Sequence, residues 1–438
     1  MVREFQPDKG WAWVVLVAAF TSAVIFDGII FSFGIFLSEL ANYFNEGLGQ
    51  TAWIGSTISA VYAIVGPIAS ILETKFGCRV VTIAGSILAT IGFILCTYSP
   101  NLWIMVVTYG FMAGIGFGMM YHCAFVMVGH YFEKRRSLAT GITACGSGVG
   151  TFLFAQIGSI LLHVYGWKGS MWLLAGISLQ GVVVGCCYWP VPKRNHNTAA
   201  SNDDEPRDKS AKKNYRIVSL LKSPSFLVLC FSSFLCLIGF MVPFIYLPNY
   251  AKQIGASEWE ASFLVSIIGI TNTLGRIMCG WICDRSWSDP LKIYNGALII
   301  GGTATVACVW MKLYVLQAIY AAIFGLCIAF YVSLCAIIII EFHGLDMLSS
   351  AFGFLNLCRG VATLIGAPIA GNLYDSTGRF DLTFYTAGSA IIAAGVICLP
   401  LRMMTQCARR QDIQKQSETV NENCFSSLEG LRHLDDTI

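Results

Sequence analysis

The chain has little charge. Asp, Glu, Lys and Arg make up 12% of its 438 residues, about half the share of a soluble domain. It has no G-x-x-x-x-G-K-[ST] loop to take energy from ATP and no H-E-x-x-H pair for intramembrane hydrolysis. Those absences argue against an ATP-driven pump and against an enzyme. No repeated pore loop points to a channel. The 17 cysteines are scattered, mostly inside apolar runs, without metal-ligand spacing. There they act as small hydrophobes, so neither a disulfide framework nor a metal site is expected. No cofactor and no nucleic-acid partner is expected. The first apolar run is too long for a signal peptide and no A-x-A-like site follows it. No N-x-[ST] sequon falls in a segment expected to lie outside.

What is present is apolar length. Hydrophobic residues make up 56% of the chain, and the mean hydropathy of +0.66 describes a multi-pass membrane protein throughout. Twelve runs of roughly 20 residues can each cross a bilayer, beginning at Trp11 and ending at Leu401. The predicted fold class is therefore an all-α membrane protein of twelve transmembrane helices. The segment from Pro190 to Ser225, with Asp203-Asp204-Glu205 and Lys212-Lys213, is too polar to bury a core and reads as a linker. It divides the chain into a first six-helix half (1–189), a linker (190–225), a second half (226–402) and a polar tail (403–438). With the N-terminus inside, inside segments carry 22 of the 28 Lys and Arg. Positive-inside asymmetry then puts both termini in the cytosol. Basic residues of the linker and tail are placed to touch anionic lipid or simply water. Glycine-rich stretches such as Gly114-Ile115-Gly116-Phe117-Gly118 and Gly146-Ser147-Gly148-Val149-Gly150 suit close helix packing.

Ionisable residues inside apolar spans are costly and mark function by default. Asp27 lies in the first span, His122 in the fourth, Arg276 in the eighth and Arg359 in the eleventh. Arg276 stays charged at any accessible pH, so it must face protein, water or an anion. Its fork suits bidentate carboxylate binding, and the competing role is a permanent salt bridge to a helix acid. Asp27 lies toward the outer side of its helix, so ~10 Å of axial distance separates it from Arg276. Three roles fit Asp27: holding the cationic end of a zwitterion, carrying a coupling proton, or bonding a neighbouring helix. His122 is either a hydrogen-bonded core residue or a pH sensor. Pairing within the bundle is expected for Arg359.

Two six-helix halves joined by a cytosolic linker resemble the major facilitator layout. Gly280-Trp281-Ile282-Cys283-Asp284-Arg285 resembles that superfamily's G-x-x-x-D-R loop, which implies a conformational latch at Asp284 and Arg285. Within the superfamily the chain resembles the monocarboxylate transporter family. Asp8-Lys9-Gly10-Trp11-Ala12-Trp13 is similar to its D-G-G-W-G-W signature, departing at Lys9 and Ala12. Tyr131-Phe132-Glu133-Lys134-Arg135-Arg136-Ser137-Leu138-Ala139-Thr140-Gly141 is similar to its loop before the fifth helix. Gly366-Ala367-Pro368-Ile369-Ala370-Gly371-Asn372-Leu373-Tyr374-Asp375 matches its pattern around the eleventh.

The resemblance implies alternating-access transport of a small carboxylate across the plasma membrane, in some members with a single-span glycoprotein partner. It also implies a lysine in the first helix and an Asp-x-x-x-Arg pair in the eighth for proton-linked lactate or pyruvate carriers. Here Phe31 stands at the lysine position and Asn272 at the acid, with Arg276 retained. The expected substrate is accordingly a carboxylate-bearing metabolite, including zwitterions such as an amino acid, creatine or carnitine, held by Arg276, Asp27, Asn272 and Phe31. Asp27 and His122 are the positions for proton or pH coupling. A proton-linked lactate/pyruvate symporter is the alternative, and a transporter-like solute sensor is the alternative of another class.

Overall fold

The computed structural model describes residues 8–189, 223–283, 289–343 and 348–402. All regular elements among them are helices. In the first half α1 (Trp11–Phe31) continues through a 3-10 turn (Phe33–Ile35) into α2 (Leu37–Phe44). Next come α3 (Leu48–Ile64), α4 (Gly66–Phe76), α5 (Cys78–Cys96), and α6 (Leu102–Met105), which leads through a π segment (Val106–Met112) into α7 (Ala113–Tyr131). Last are α8 (Arg136–Leu179) and α9 (Gly181–Cys187). The second half holds α10 (Pro224–Gln253), α11 (Glu258–Cys283), α12 (Pro290–Ala307), α13 (Tyr314–His343), α14 (Leu348–Thr377) and α15 (Asp381–Ile397).

Nine helices among the described residues are long and apolar enough to cross a membrane. The α3–α4 pair, bent by 51°, forms a tenth. The bend has a local cause: Pro67 in the first turn of α4 lacks the N–H that would continue the helix. Residues 138–187 form one apolar stretch of 50 residues, about twice a bilayer's need. Gly166, at φ 65° and ψ 179°, folds it into two spans. That left-handed φ is open to glycine at little cost. With the shorter apolar helix α15, the spans accord with the twelve expected. Their outward faces stay apolar, as at Val17, Ile71, Val107, Phe231 and Ile277. Lipid is the solvent such faces require.

The halves meet along α3 with α14, α8 with α11, and the 3-10 turn with α10. Glycines set these distances. A Cβ on Gly148 would lie 2.6 Å from the carbonyl oxygen of Gly269, and one on Gly371 would lie 2.5 Å from the Cα of Gly49. Polar bonds join the halves on the same side. Ser38 Oγ lies 2.7 Å from Asn249 Oδ1. Gln156 Nε2 donates to Ser266 Oγ at 3.1 Å, and Ser266 Oγ donates to the Phe152 carbonyl at 3.1 Å. Asp375, at the end of α14, accepts the backbone N–H groups of Leu48 and Gly49 at 2.9 and 2.8 Å. A carboxylate on the free N–H groups at the start of α3 satisfies donors the helix cannot, and it meets the positive end of the helix dipole. Beyond Pro67, α4 turns away to pack on α5 and α7 of its own half.

The signature segments before α1 and before α8 touch. Asp8 accepts the backbone N–H groups of Lys134 and Arg135 at 3.0 and 3.1 Å, while its own N–H donates to the Tyr131 carbonyl at 3.1 Å. These hydrogen bonds hold its carboxyl below the usual carboxylate range. Trp13 sets its ring edge-on to Phe132 at 5.6 Å, and Trp11 Nε1 donates to the Cys187 carbonyl at 3.0 Å. Asp284 and Arg285, Asp346, residues 190–222 of the linker and the tail from 403 lie outside the described residues.

Candidate functional site

Between the halves lies a cavity of about 160 Å³, smaller than the roughly 300–1,000 Å³ pockets that hold drug-sized ligands. It is bordered by α1, α3, α7 and α8 from the first half and by α10, α11 and α13 from the second. Four residues expected at a substrate site, Asp27, Phe31, Asn272 and Arg276, all line it.

Asp27 is buried in α1 where that helix crosses α8. The crossing is close because Gly28 meets Gly150: a Cβ on Gly28 would lie 2.9 Å from the Gly150 carbonyl oxygen. The hydroxyls of Ser147 and Tyr62 stand beside the Asp27 carboxyl in the cavity, and Arg276 acts on it electrostatically. Arg276 reaches from α11 and donates through Nε to Asn272 Oδ1 at 2.9 Å, one helical turn away. No salt bridge forms at Arg276 among the described residues. Its terminal nitrogens thus keep donor capacity for a ligand. The axial offset between Asp27 and Arg276 does not separate them into two sites. The long arginine side chain brings both charges to one cavity, one from each half.

Phe31 packs against Phe244 and Phe240 of α10, with ring centroids 4.8 and 6.2 Å away. The cation that family resemblance would place at this position is replaced by an apolar wall shared between the halves. On the other side Tyr62 and Tyr121 pack at 5.0 Å and Tyr121 and Phe125 at 4.8 Å, beside Asp27. Their π faces suit a cation as well as an apolar group. Tyr62, Tyr121, Phe125 and Ser147 carry no separate sign in the sequence. An aromatic or serine within an apolar span reads like any other packing residue.

His122 is not in this cavity. Its Nε2 lies 3.9 Å from Glu73 Oε2, between α7 and α4. Arg359 is also elsewhere, against α13 in the second half. Asp375 has a place that the sequence did not suggest, sealing α14 to α3. No group of three or more His, Cys, Asp or Glu able to hold a metal ion occurs among the described residues.

A model of the Major Facilitator Superfamily matches residues 15–322. Among curated relatives, monocarboxylate transporter 12 of Xenopus laevis is 31% identical, covering 90% of this chain and 90% of that protein. Monocarboxylate transporter 3 of Rattus norvegicus is 32% identical over 92% of this chain and 82% of its own length. Among solved structures, a D-xylose-proton symporter superposes with a TM-score of 0.72 at 13% identity, over 90% of this chain and 98% of that one. That likeness carries the fold alone. The apolar helices, the shared central cavity and these relatives agree: the chain belongs to the monocarboxylate transporter family of the major facilitator superfamily, and it is a membrane transporter, not an enzyme.

Proposed function

We propose that this transporter carries a small carboxylate-bearing metabolite, with zwitterions such as amino acids, creatine or carnitine as the favoured class. The observation that carries the reading is one cavity with Arg276 from one half and Asp27 from the other. Arg276 takes the carboxylate through its free terminal nitrogens, and Asn272 fixes the guanidinium plane. Asp27, with Tyr62 and Tyr121 around it, takes the cationic end. A ligand joined to both halves at once ties its binding to their relative position, which alternating access requires.

The membrane is the plasma membrane and both termini face the cytosol; a single-span glycoprotein, which some members of the family use to reach the surface, is a candidate partner. Residues 1–189 and 226–402 are the two moving halves, with 190–225 linking them; Asp284 and Arg285 latch one conformation on the cytosolic side. In this orientation the Leu48–Asp375 contact is extracellular, so the described conformation is sealed outside. A proton-linked lactate or pyruvate symporter is less well supported, because Phe31 and Asn272 stand where the resemblance to proton-linked carriers places a lysine and an acid.

The test is uptake of labelled lactate, pyruvate, aromatic amino acids, creatine and carnitine in a low-background host, with and without a proton gradient. At least one zwitterion should accumulate, and Arg276→Ala should abolish that uptake while reaching the surface normally. Proton-stimulated lactate uptake without zwitterion uptake would instead establish the symporter. Saturable binding without uptake would mark a sensor.

A further inference from the structure

We propose that the second half holds another anion-binding position, centred on Arg359 and separate from Arg276, for a small monovalent anion: a halide or a carboxylate. Arg359 projects from α14 toward α13. Its Nη2 donates to Cys335 Sγ at 3.0 Å, and its guanidinium lies over the Tyr331 ring, 5.1 Å from the centroid. A thiol is a weak acceptor and a ring face offers only partial compensation. No salt bridge forms at Arg359 among the described residues. Its Nε is buried without a hydrogen-bond partner. A cation removed from water in this way requires a counter-charge.

The neighbours supply donors. Tyr331 and Tyr294 pack at 5.5 Å; the Tyr294 hydroxyl is buried without a hydrogen-bond partner, and the buried Tyr331 hydroxyl has only Ser233 and Cys236 close by, neither forming a well-aligned bond to it. Four helices, α10, α12, α13 and α14, therefore bring three buried hydroxyls and one guanidinium into a single neighbourhood. Cys236 and Cys335 add thiols, which are also donors. A cluster with a fixed positive charge, spare O–H groups and no carboxylate complements a monoanion. Buried polar groups in folded proteins normally find partners, so their shared lack of one points to a missing acceptor.

The position also bears on the central cavity. Tyr121, which lines that cavity, lies within the electrostatic reach of Arg276, Asp27 and Arg359 together. Asp27 offsets the charge of Arg276, whereas Arg359 has no such partner. An anion at Arg359 neutralises the surplus charge beside the transport site. A halide would stay there as a resident counter-ion; a carboxylate would use it as a second station in addition to Arg276. The carboxylate version rests on the transport reading above, and the halide version does not.

The test uses the full chain in lipid nanodiscs at constant ionic strength, with gluconate as the replacing anion. Equilibrium binding of ³⁶Cl⁻ and of ¹⁴C-formate is measured for the wild type, Arg359→Gln and Arg276→Gln. Saturable chloride binding that falls at least tenfold in Arg359→Gln and persists in Arg276→Gln establishes the halide site. Two formate sites, one lost in each variant, establish the carboxylate station whether or not transport is seen. If the wild type binds neither anion, or Arg359→Gln binds both as the wild type does, the site does not exist. Should Arg359→Gln fail to elute as a folded monodisperse protein, Tyr294→Phe/Tyr331→Phe decides, since it removes hydroxyls and keeps the rings. A severalfold loss of affinity supports the site, and unchanged affinity overturns it.

Discussion

The carboxylate of Asp375 accepts the backbone N–H of Gly49 at 2.8 Å, although 326 positions of sequence separate the two residues. Together with the bond from Leu48, this joins the end of α14 to the start of α3 across the halves. Charge-assisted bonds to free helix N–H groups favour the closed side. Asp375→Ala should shift the population toward the state open on that side by about tenfold, roughly the worth of one such bond. The readout is labelling of Phe31→Cys by an impermeant maleimide added outside, with and without Asp375→Ala. An unchanged labelling rate would remove Asp375 from the seal.

Gly148 tests the backbone contact between α8 and α11. An alanine there meets the Gly269 carbonyl oxygen at 2.6 Å, so Gly148→Ala should destabilise the described conformation by about 1–3 kcal/mol. Gly353, on α14, has open space where its Cβ would go. Gly353→Ala should instead gain up to about 1 kcal/mol from helix propensity. Thermal melts of the purified variants should move in opposite directions, and a common direction would count against the contact.

Asp27→Asn keeps the size and polarity of the side chain and removes its charge. Uptake of a zwitterion should weaken about 10- to 100-fold, the range for a charged hydrogen bond of roughly 1.5–3 kcal/mol. Uptake of a carboxylate without a cationic group should be spared. Equal loss for both substrates would make Asp27 a structural or proton-carrying residue. Retained transport of both would reduce it to a packing group.

Phe31→Lys places a cation in the wall formed with Phe240 and Phe244. It should raise affinity for simple monocarboxylates by about tenfold and depress zwitterion uptake, because the added charge repels the ammonium end. Competition between lactate and the transported zwitterion in the same cells reads the change directly. Unaltered preference would exclude Phe31 from substrate selection.

Asp8 gives a pH dependence with a definite sign. Its carboxyl is held below the ordinary aspartate value of 3.8 by the N–H groups of Lys134, Arg135 and Glu133. Stability from this group is fully present above pH about 4 and is lost as pH falls through the depressed folded value. The melting difference between wild type and Asp8→Asn should be clear at pH 6 and shrink toward pH 3. A difference independent of pH would show that the carboxylate's charge is not what holds the loop.

Much of this protein is legible in its sequence because a bilayer imposes one-dimensional rules. A backbone in lipid must satisfy its own hydrogen bonds, so each long apolar run becomes a helix. The same rules mark Asp27 and Arg276 as costly charges that call for a role. Departures from family pattern at Phe31 and Asn272 are visible by position alone. Glycine-rich runs announce close contact, and Gly146, Gly148 and Gly150 make it.

Other features depend on which helix lies beside which, and no local pattern encodes that. Residues 27 and 276 share a cavity only because α1 crosses α8 at Gly28 and Gly150 while α8 meets α11 at Gly148 and Gly269. Tyr62 and Tyr121 become part of the site through the same packing. The sequence leads one to expect a partner for Arg359 within the bundle; the described structure gives it a thiol, a ring face and nearby buried hydroxyls. Asp375 belongs to a family motif, but its bond to the start of α3 spans more than 300 residues. Local sequence determines helices and charges, whereas long-range packing decides which charges face one another.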